Sequence, residues 1–368
     1  MEKAKMQVEI NNHPYENDNV YCAISFRGGN ITRNYILSDN SVFAGNCAFY
    51  NVFFNYLRLS NIVGLHYDVQ RAVSTISFEC HYNKLSDKLN EVINIVLDRN
   101  YKEDAFENAK KITKESFTKQ YKNEKFRAKF KSFEFSDLNK KFNLRTLIDD
   151  IEKIDFNSFV SIGKNLLNIG NICVYVNGKT EFLDTDSIAS IGNNHTDSSM
   201  FMIAGFNFDP YLRQDAFVSN IARNDCNYVI EAFSFINPNT TNFTKLLILE
   251  ILAEQISSSD CEVWVDSIDS SIVFQCEMLK KYKDLFCKID KATFEQARDS
   301  LLSKYTILLE KRPEHFSIKA AYMMSVGIYI DQYISFLDVC NYDVFSEICK
   351  KSDYMIAEGQ VSLSRRTK

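Results

Sequence analysis

Residues 45–57 read GNCAFYNVFFNYL. Wound as a helix, this run places apolar and aromatic side chains on nearly every side, which is typical of a helix buried in a protein core. An alternating apolar segment, residues 20–26 (VYCAISF), precedes it, and two β-rich segments follow at 62–67 and 72–82. Period-two alternation indicates strands, and two such segments in succession predict a hairpin. The predicted order is therefore strand, buried helix, hairpin.

The same order returns in the second half of the chain. Residues 228–236 (YVIEAFSFI) have the pattern of a strand, 246–256 (LLILEILAEQI) that of a buried helix, and 263–278 that of a hairpin. Each half ends in a further strand that reaches a glycine, Gly178 in the first and Gly359 in the second. Helical periodicity lies between hairpin and final strand, at 85–96, 104–121 and onward to 167 in the first half, and at 282–289, 293–309 and 316–330 in the second.

This repetition predicts two tandem α+β units of about 180 residues each, every unit a mostly antiparallel sheet backed by several helices. The first unit is predicted at 1–183 and the second at 200–368. Residues 184–199 (DTDSIASIGNNHTDSS) are rich in Ser, Asp and Asn, which is typical of a linker.

Composition narrows the function classes. Of 368 residues, 45% are hydrophobic and 25% charged, as in an ordinary soluble globular protein. With a net charge of −5, the chain lacks the excess of basic residues that is typical of nucleic-acid-binding proteins. The N-terminal stretch lacks the apolar core of a secretory signal, no apolar run is long enough for a membrane span, and the ten cysteines form no CxxC pair. We therefore expect a cytoplasmic protein with reduced thiols, and the abundance of Asn, Lys, Ile and Phe favours a bacterial source.

The repeated order of elements resembles the pitrilysin or insulinase-type metallopeptidases, in the short-chain branch close to the mitochondrial processing peptidases. In that family the first strand ends in a glycine turn, and the buried helix opens with the motif H-x-x-E-H. Here residues 26–29 (FRGG), then Gly45, then 46–54 (NCAFYNVFF) occupy the corresponding places. The glycine turn and the apolar helix around the motif are present, but the two histidines and the glutamate of the motif are absent.

In register, Cys47 and Asn51 hold the two histidine positions and Tyr50 holds the glutamate position. In an active member, the two histidines bind zinc and the glutamate takes a proton from the metal-bound water. Tyrosine is no carboxylate base at neutral pH, and asparagine is a poor zinc ligand. The resemblance places the third ligand at Glu115, a single remaining carboxylate. We therefore expect no catalytic residue, no metal and no cofactor in this chain, with zinc held by a partner chain.

The resemblance also implies a substrate-binding pair in the second half, an arginine followed seven residues later by a tyrosine. Ser257 and Trp264 stand at those positions here, so binding of a substrate backbone by this pair is doubtful. As a strand residue, Trp264 is more simply explained by packing in a core.

Three residue patterns have competing interpretations. Cys47 is either a small buried hydrophobe or a nucleophile with His66 or His81 as its base. Five histidines occur without ligand spacing, which indicates surface or satisfied core positions. The segment 119–131 carries six basic residues among aromatics, and it either contacts an acidic partner or forms a solvated helix face.

The resemblance implies a catalytically silent subunit that pairs with an active zinc-peptidase chain of the same fold. Such a heterodimer would enclose a chamber for trimming precursor or leader peptides. An alternative from another class is a homodimeric peptide-binding or scaffolding module. A third is an active enzyme with an unrecognised site around Cys47 and Glu115.

Overall fold

The computed structural model describes most of the chain, and the chain forms two compact units that alternate along the sequence. The division at 184–199 stays a prediction. Unit 1 comprises residues 1–116, 147–206 and 307–329, and unit 2 comprises 117–146, 207–306 and 330–368. The residues described are 6–30, 34–37, 42–59, 64–123, 126, 144–181, 183–191, 202–203, 228–235, 240–256, 261–266, 271–276, 289–352 and 354–361.

Unit 1 is built on a five-stranded sheet of order β1-β7-β2-β6-β5. The pair β1–β7 is parallel and the other pairs are antiparallel. A small second sheet has the order β4-β3-β8. The strands are β1 (Gln7–Asn12), β2 (Asn19–Arg27), β3 (Asn34–Leu37), β4 (Val42–Ala44), β5 (His66–Val69), β6 (Val73–His81), β7 (Ile172–Gly178) and β8 (Met202–Ile203).

Alternate residues of β2 enter the main core of unit 1, as the period-two pattern predicts. Val20, Cys22, Ile24 and Phe26 all lie in this core, together with the apolar residues of the buried helix α1. The first-half helices are α1 (Phe49–Leu59), α2 (Leu85–Leu97), α3 (Glu103–Tyr121), α4 (Leu144–Lys153), α5 (Phe156–Leu166) and α6 (Thr185–Ala189). The last of these lies within the predicted linker.

A helix from the second half covers the other face of this sheet. The helices there are α7 (Asn242–Ile256), α8 (Lys291–Lys311), α9 (Pro313–Ser325), α10 (Ile330–Val339) and α11 (Tyr342–Lys350). The contact between α9 and β2 is partly polar: the Ser25 hydroxyl donates to the Ala321 carbonyl (2.7 Å), and the Ser317 hydroxyl donates to the Tyr21 carbonyl (3.2 Å). The sequence pattern did not predict this packing.

The helix predicted at 316–330 is confirmed as α9, but it ends at Ser325. Gly327, with a φ of +80°, separates it from α10 in a left-handed conformation that glycine adopts without strain. The helices α10 and α11 were missed, although the N-cap residue of α11, Asn341, whose side chain accepts from the Val344 N–H (3.0 Å), is a recognisable start signal. Most of the helix predicted at 282–289 lies outside the described residues.

The unit 2 sheet confirms the internal repeat. Its strands β9 (Tyr228–Phe235), β10 (Cys261–Asp266), β11 (Ser271–Cys276) and β12 (Tyr354–Val361) are antiparallel, in the order β10-β11-β9-β12. That order repeats β5-β6-β2-β7 of unit 1. The helix α7 follows β9 along the chain as α1 follows β2. Of the helices in the described residues, none is long and apolar enough to cross a membrane.

Candidate functional site

The N-terminal end of α1 is held by two side chains. Asn46 caps it, since its side-chain oxygen accepts from the Ala48 N–H (2.8 Å). The Asp150 carboxylate, on α4, accepts from the Cys47 N–H at 3.2 Å. A negative charge is favourable at this end of a helix because the helix dipole is positive there. Cys47 is buried, and its place is set by these backbone contacts.

Tyr50 lies inside an aromatic cluster. Its ring centroid is 5.2 Å from that of Phe49, 5.9 Å from Phe26 and 6.0 Å from Phe54. Only 1% of the residue is exposed, and this burial raises the pKa of its hydroxyl far above the ordinary value. At the position where the peptidase motif has a glutamate base, this chain therefore holds a neutral phenol in a core.

The Tyr50 hydroxyl faces the protein backbone. It donates to the Arg27 carbonyl at 3.3 Å and accepts from the Asn171 side-chain amide at 3.4 Å. Asn171 is fully buried and also binds Arg27 twice, accepting from its N–H (3.1 Å) and donating to its carbonyl (3.1 Å). Asn171 was not predicted as a site residue, and no sequence motif marks it. By binding the Arg27 backbone, the Asn171 side chain extends the β2–β7 pairing by one residue pair.

Asn51 is half-buried and its amide is engaged by a neighbouring loop. Its Nδ2 donates to Asn30 Oδ1 at 2.5 Å, and Asn30 in turn donates to the Val69 carbonyl at 3.1 Å. The Asn51 carbonyl accepts from the Thr113 hydroxyl at 3.4 Å. This second histidine position therefore links α1 to the loop before β3 and to α3.

Thr113, rather than Glu115, is the residue of α3 that contacts α1. Its hydroxyl is buried and accepts from the Asn55 side-chain amide at 2.8 Å. Glu115 is exposed. Two residues along a helix correspond to a rotation of about 200°, so Glu115 lies on nearly the opposite face from Thr113. The structure therefore does not bring Glu115 together with Cys47 and Asn51.

The residues at the metal positions do not fit zinc. A zinc site needs three protein ligands of the imidazole, thiolate or carboxylate type. Here the candidates are a buried cysteine, an amide already bound to Asn30, and a carboxylate on another face of α3. Within the described ranges, no group of three or more His, Cys, Asp and Glu side chains could hold a metal ion.

The two histidines predicted as possible bases for Cys47 contact other side chains. His66 is exposed and lies 3.9 Å from Glu314. His81 Nδ1 lies 2.8 Å from Asn83 Oδ1. The structure therefore gives no support to a cysteine nucleophile with either histidine as its base.

The remaining predicted contacts fall largely outside the described residues. Ser257 is one of those outside, and Trp264 is described only through its backbone, which pairs with Val273 in β10–β11. In the basic segment, Lys119 and Lys122 are exposed, while 127–131 lies outside the described residues. The proposed substrate pair and the acidic-partner surface both stay predictions.

Comparison with known proteins gives structural matches only. No family model and no curated protein matches the sequence. A protein described as an M16-like peptidase from Alicyclobacillus acidocaldarius matches with a TM-score of 0.68 at 10% identity, over 98% of each chain. A chain of Complex III2 from Candida albicans matches with 0.60 at 11% identity, over 97% of this chain and 95% of that one. Pitrilysin matches with 0.54 at 11% identity, over 100% of this chain and 43% of pitrilysin. At such identities, these matches show a shared fold.

Proposed function

We propose that this chain, which has the fold of the M16-like peptidases and of pitrilysin, is a catalytically silent subunit. It pairs with an active zinc-peptidase chain of the same fold, in the cytoplasm of a bacterium. Together the two chains enclose a chamber in which precursor or leader peptides are trimmed. This chain supplies part of the chamber wall and binds peptide without cleaving it.

The observation that carries the proposal is the buried Tyr50. A general base must be able to accept a proton near neutral pH and must reach the reacting water. The Tyr50 hydroxyl does neither, since burial raises its pKa and its hydrogen bonds go to the Arg27 carbonyl and Asn171. This chain keeps the peptidase fold, and the helix that would hold the catalytic residues packs in its core instead.

Pairing is supported by the range of proteins that share the fold. One matching structure is described as a peptidase, and another is a chain of Complex III2, a multi-chain assembly. A fold used both for catalysis and within assemblies suits a subunit whose own catalytic positions are replaced. This support is by analogy of fold.

Co-expression tests the pairing. The chain is produced with the chain from the same organism that has this fold and an intact H-x-x-E-H motif, and the mixture is separated by size-exclusion chromatography with light scattering. We expect a heterodimer that cleaves a fluorogenic peptide library in a zinc-dependent manner. The active chain alone should cleave at least about tenfold more slowly, and this chain alone should not cleave.

Two controls make the result specific. Replacing the motif glutamate of the active chain by glutamine should abolish cleavage and leave the heterodimer intact. Tyr50→Phe in this chain should change neither pairing nor cleavage. If this chain elutes only as a self-dimer and cleavage by the other is unaffected, the proposal is wrong, and the homodimeric peptide-binding module becomes the better explanation.

A further inference from the structure

The two helices that follow the central strands begin in opposite electrostatic surroundings. In unit 1, the N-terminal end of α1 receives the Asp150 carboxylate, which is buried and 3.2 Å from the Cys47 nitrogen. In unit 2, the first turn of α7 has no acidic residue and instead contains Lys245. The positive end of a helix dipole favours an anion. Unit 1 supplies one from its own chain, and the first turn of α7 does not.

Lys245 is a largely buried lysine without a counter-charge. Only 7% of the residue is exposed, and burial alone lowers its pKa to about 8. Over the part of the chain that the structure describes, its Nζ has no hydrogen bond and no ion pair, and this atom keeps some contact with solvent. Partial removal of an ammonium from water is costly, so such a group is normally paired with an anion.

Lys245 belongs to the capped N-terminal turn of α7. Lys245 is in the first turn, where its N–H donates to the Thr241 carbonyl (3.0 Å), and Thr241 caps the helix by accepting from the Thr244 N–H (3.2 Å). Side chains in a helix lean toward its N-terminus, so the lysine stem runs back toward the capping turn. Long cationic side chains bury the stem and keep the charged head toward solvent, which leaves the head accessible to a ligand.

We propose that the N-terminal end of α7 binds a peptide carboxylate and that Lys245 is its cationic ligand. One singly charged carboxylate matches one ammonium and reproduces the arrangement that Asp150 makes at α1. The carboxylate comes either from a peptide C-terminus or from an Asp or Glu side chain. The site belongs to unit 2 and needs no partner chain, so it goes beyond the proposed function and can be tested on this chain alone.

Thermal unfolding of the purified chain with defined carboxylates tests the site. The probes are sodium acetate, inorganic phosphate, acetylated trialanine with a free C-terminus, its C-terminal amide, and an acetylated, amidated peptide with one central glutamate, all at constant ionic strength. Acetate and at least one of the two carboxylate peptides should raise the Tm, whereas the trialanine amide should not. Which of the two raises it identifies the source of the carboxylate.

Two variants assign the effect. Lys245→Met should weaken binding by at least about tenfold, because a charge-assisted hydrogen bond is lost. Lys291→Met is the matched control, since Lys291 also lies in a first turn, that of α8, but is exposed and lies 3.9 Å from Glu295. This control should bind as the unaltered chain does. Should Lys245→Met fail to fold, the Lys245 amine is titrated by NMR in the unaltered chain, where acetate should raise its pKa from about 8.

Three results would overturn the site. One is an equal response of Lys245→Met and the unaltered chain to acetate. Another is stabilisation by the trialanine amide as strong as by the acid. The third is stabilisation by inorganic phosphate with none by carboxylates. Failure of heterodimer formation leaves all these readouts unchanged, so the two proposals fail separately.

Discussion

Restoring the glutamate of the peptidase motif, by Tyr50→Glu, should destabilise this chain rather than repair it. The replaced side chain is 1% exposed and surrounded by Phe26, Phe49 and Phe54. None of these rings offers a charge partner to an ionised carboxylate. The introduced carboxyl would therefore favour its protonated form in the folded state.

The size of the effect follows from the pKa of the introduced group. Burial in such surroundings raises a carboxyl pKa by about two to three units above its ordinary value of about 4.3. Each unit corresponds to about 1.4 kcal/mol, so the ionisation penalty at pH 7.5 is about 3–4 kcal/mol. Because the folded pKa is the higher one, the penalty is absent below about pH 4 and grows as the pH rises through 4.3 toward the folded value.

Urea unfolding, followed by circular dichroism at pH 4.5 and pH 7.5, measures this penalty. The matched control is Tyr50→Phe, which removes two long hydrogen bonds of 3.3 and 3.4 Å and keeps the ring. Relative to the unaltered chain it should cost about 1 kcal/mol or less at both pH values. A Tyr50→Glu chain as stable as Tyr50→Phe at pH 7.5 would contradict this prediction, because it would mean that the position is hydrated and open.

Three further substitutions test the site. Asn171→Ala should lower the free energy of unfolding by about 3 kcal/mol in urea titration, since it removes the side-chain partner of the partly buried Arg27 N–H and of the Arg27 carbonyl; a loss under 1 kcal/mol would contradict the bridge. Thr113→Val should cost about 1–2 kcal/mol while Glu115→Ala stays within about 0.5 kcal/mol, and the reverse ranking would return Glu115 to the site. Gly28→Ala should cost more than about 2 kcal/mol by the same measurement, because φ is +126° and an added Cβ would lie 2.7 Å from the ring of Tyr50. A neutral effect would show that the turn can relax.

The order of elements could be predicted from the sequence because it depends on local periodicity. The alternation at residues 20–26 matches β2 (Asn19–Arg27), and the apolar run at 246–256 falls within α7 (Asn242–Ile256). Both patterns express burial, which the hydrophobic spacing records directly. The repetition of that spacing predicted two similar sheets.

Elements whose burial comes from distant partners were not predictable. The strand β1 reads QVEINN, where only Val8 and Ile10 alternate with polar residues, and no residue of the strand is fully buried, so its apolar pattern is short and weak. It is a strand because it pairs in parallel with β7, more than 160 residues later. The packing of α9 on the unit 1 sheet is equally non-local, since the Ser25 hydroxyl contacts Ala321 across nearly 300 positions.

The candidate site likewise has one part that the sequence predicts and one part that it does not. The positions of Tyr50 and Asn51 on α1, and of Cys47 just before it, follow from the motif frame alone. Their partners do not, because Asp150 and Asn171 are more than 100 residues away and belong to no motif. The prediction placed Glu115 at the position on α3 that faces α1, whereas Thr113 lies there in the structure. A shift of two residues turns a helix by about 200°, so an exposed glutamate was predicted in place of a buried threonine.

Zinc content of the purified chain distinguishes a catalytically silent subunit from a metal-binding one. The chain is purified without chelators, dialysed against micromolar zinc and then against metal-free buffer, and measured by mass spectrometry beside the Glu115→Ala variant. We expect far less than one zinc per chain, equal in both proteins. About one zinc per chain, lost on Glu115→Ala, would contradict a core-filled helix α1 and a silent subunit.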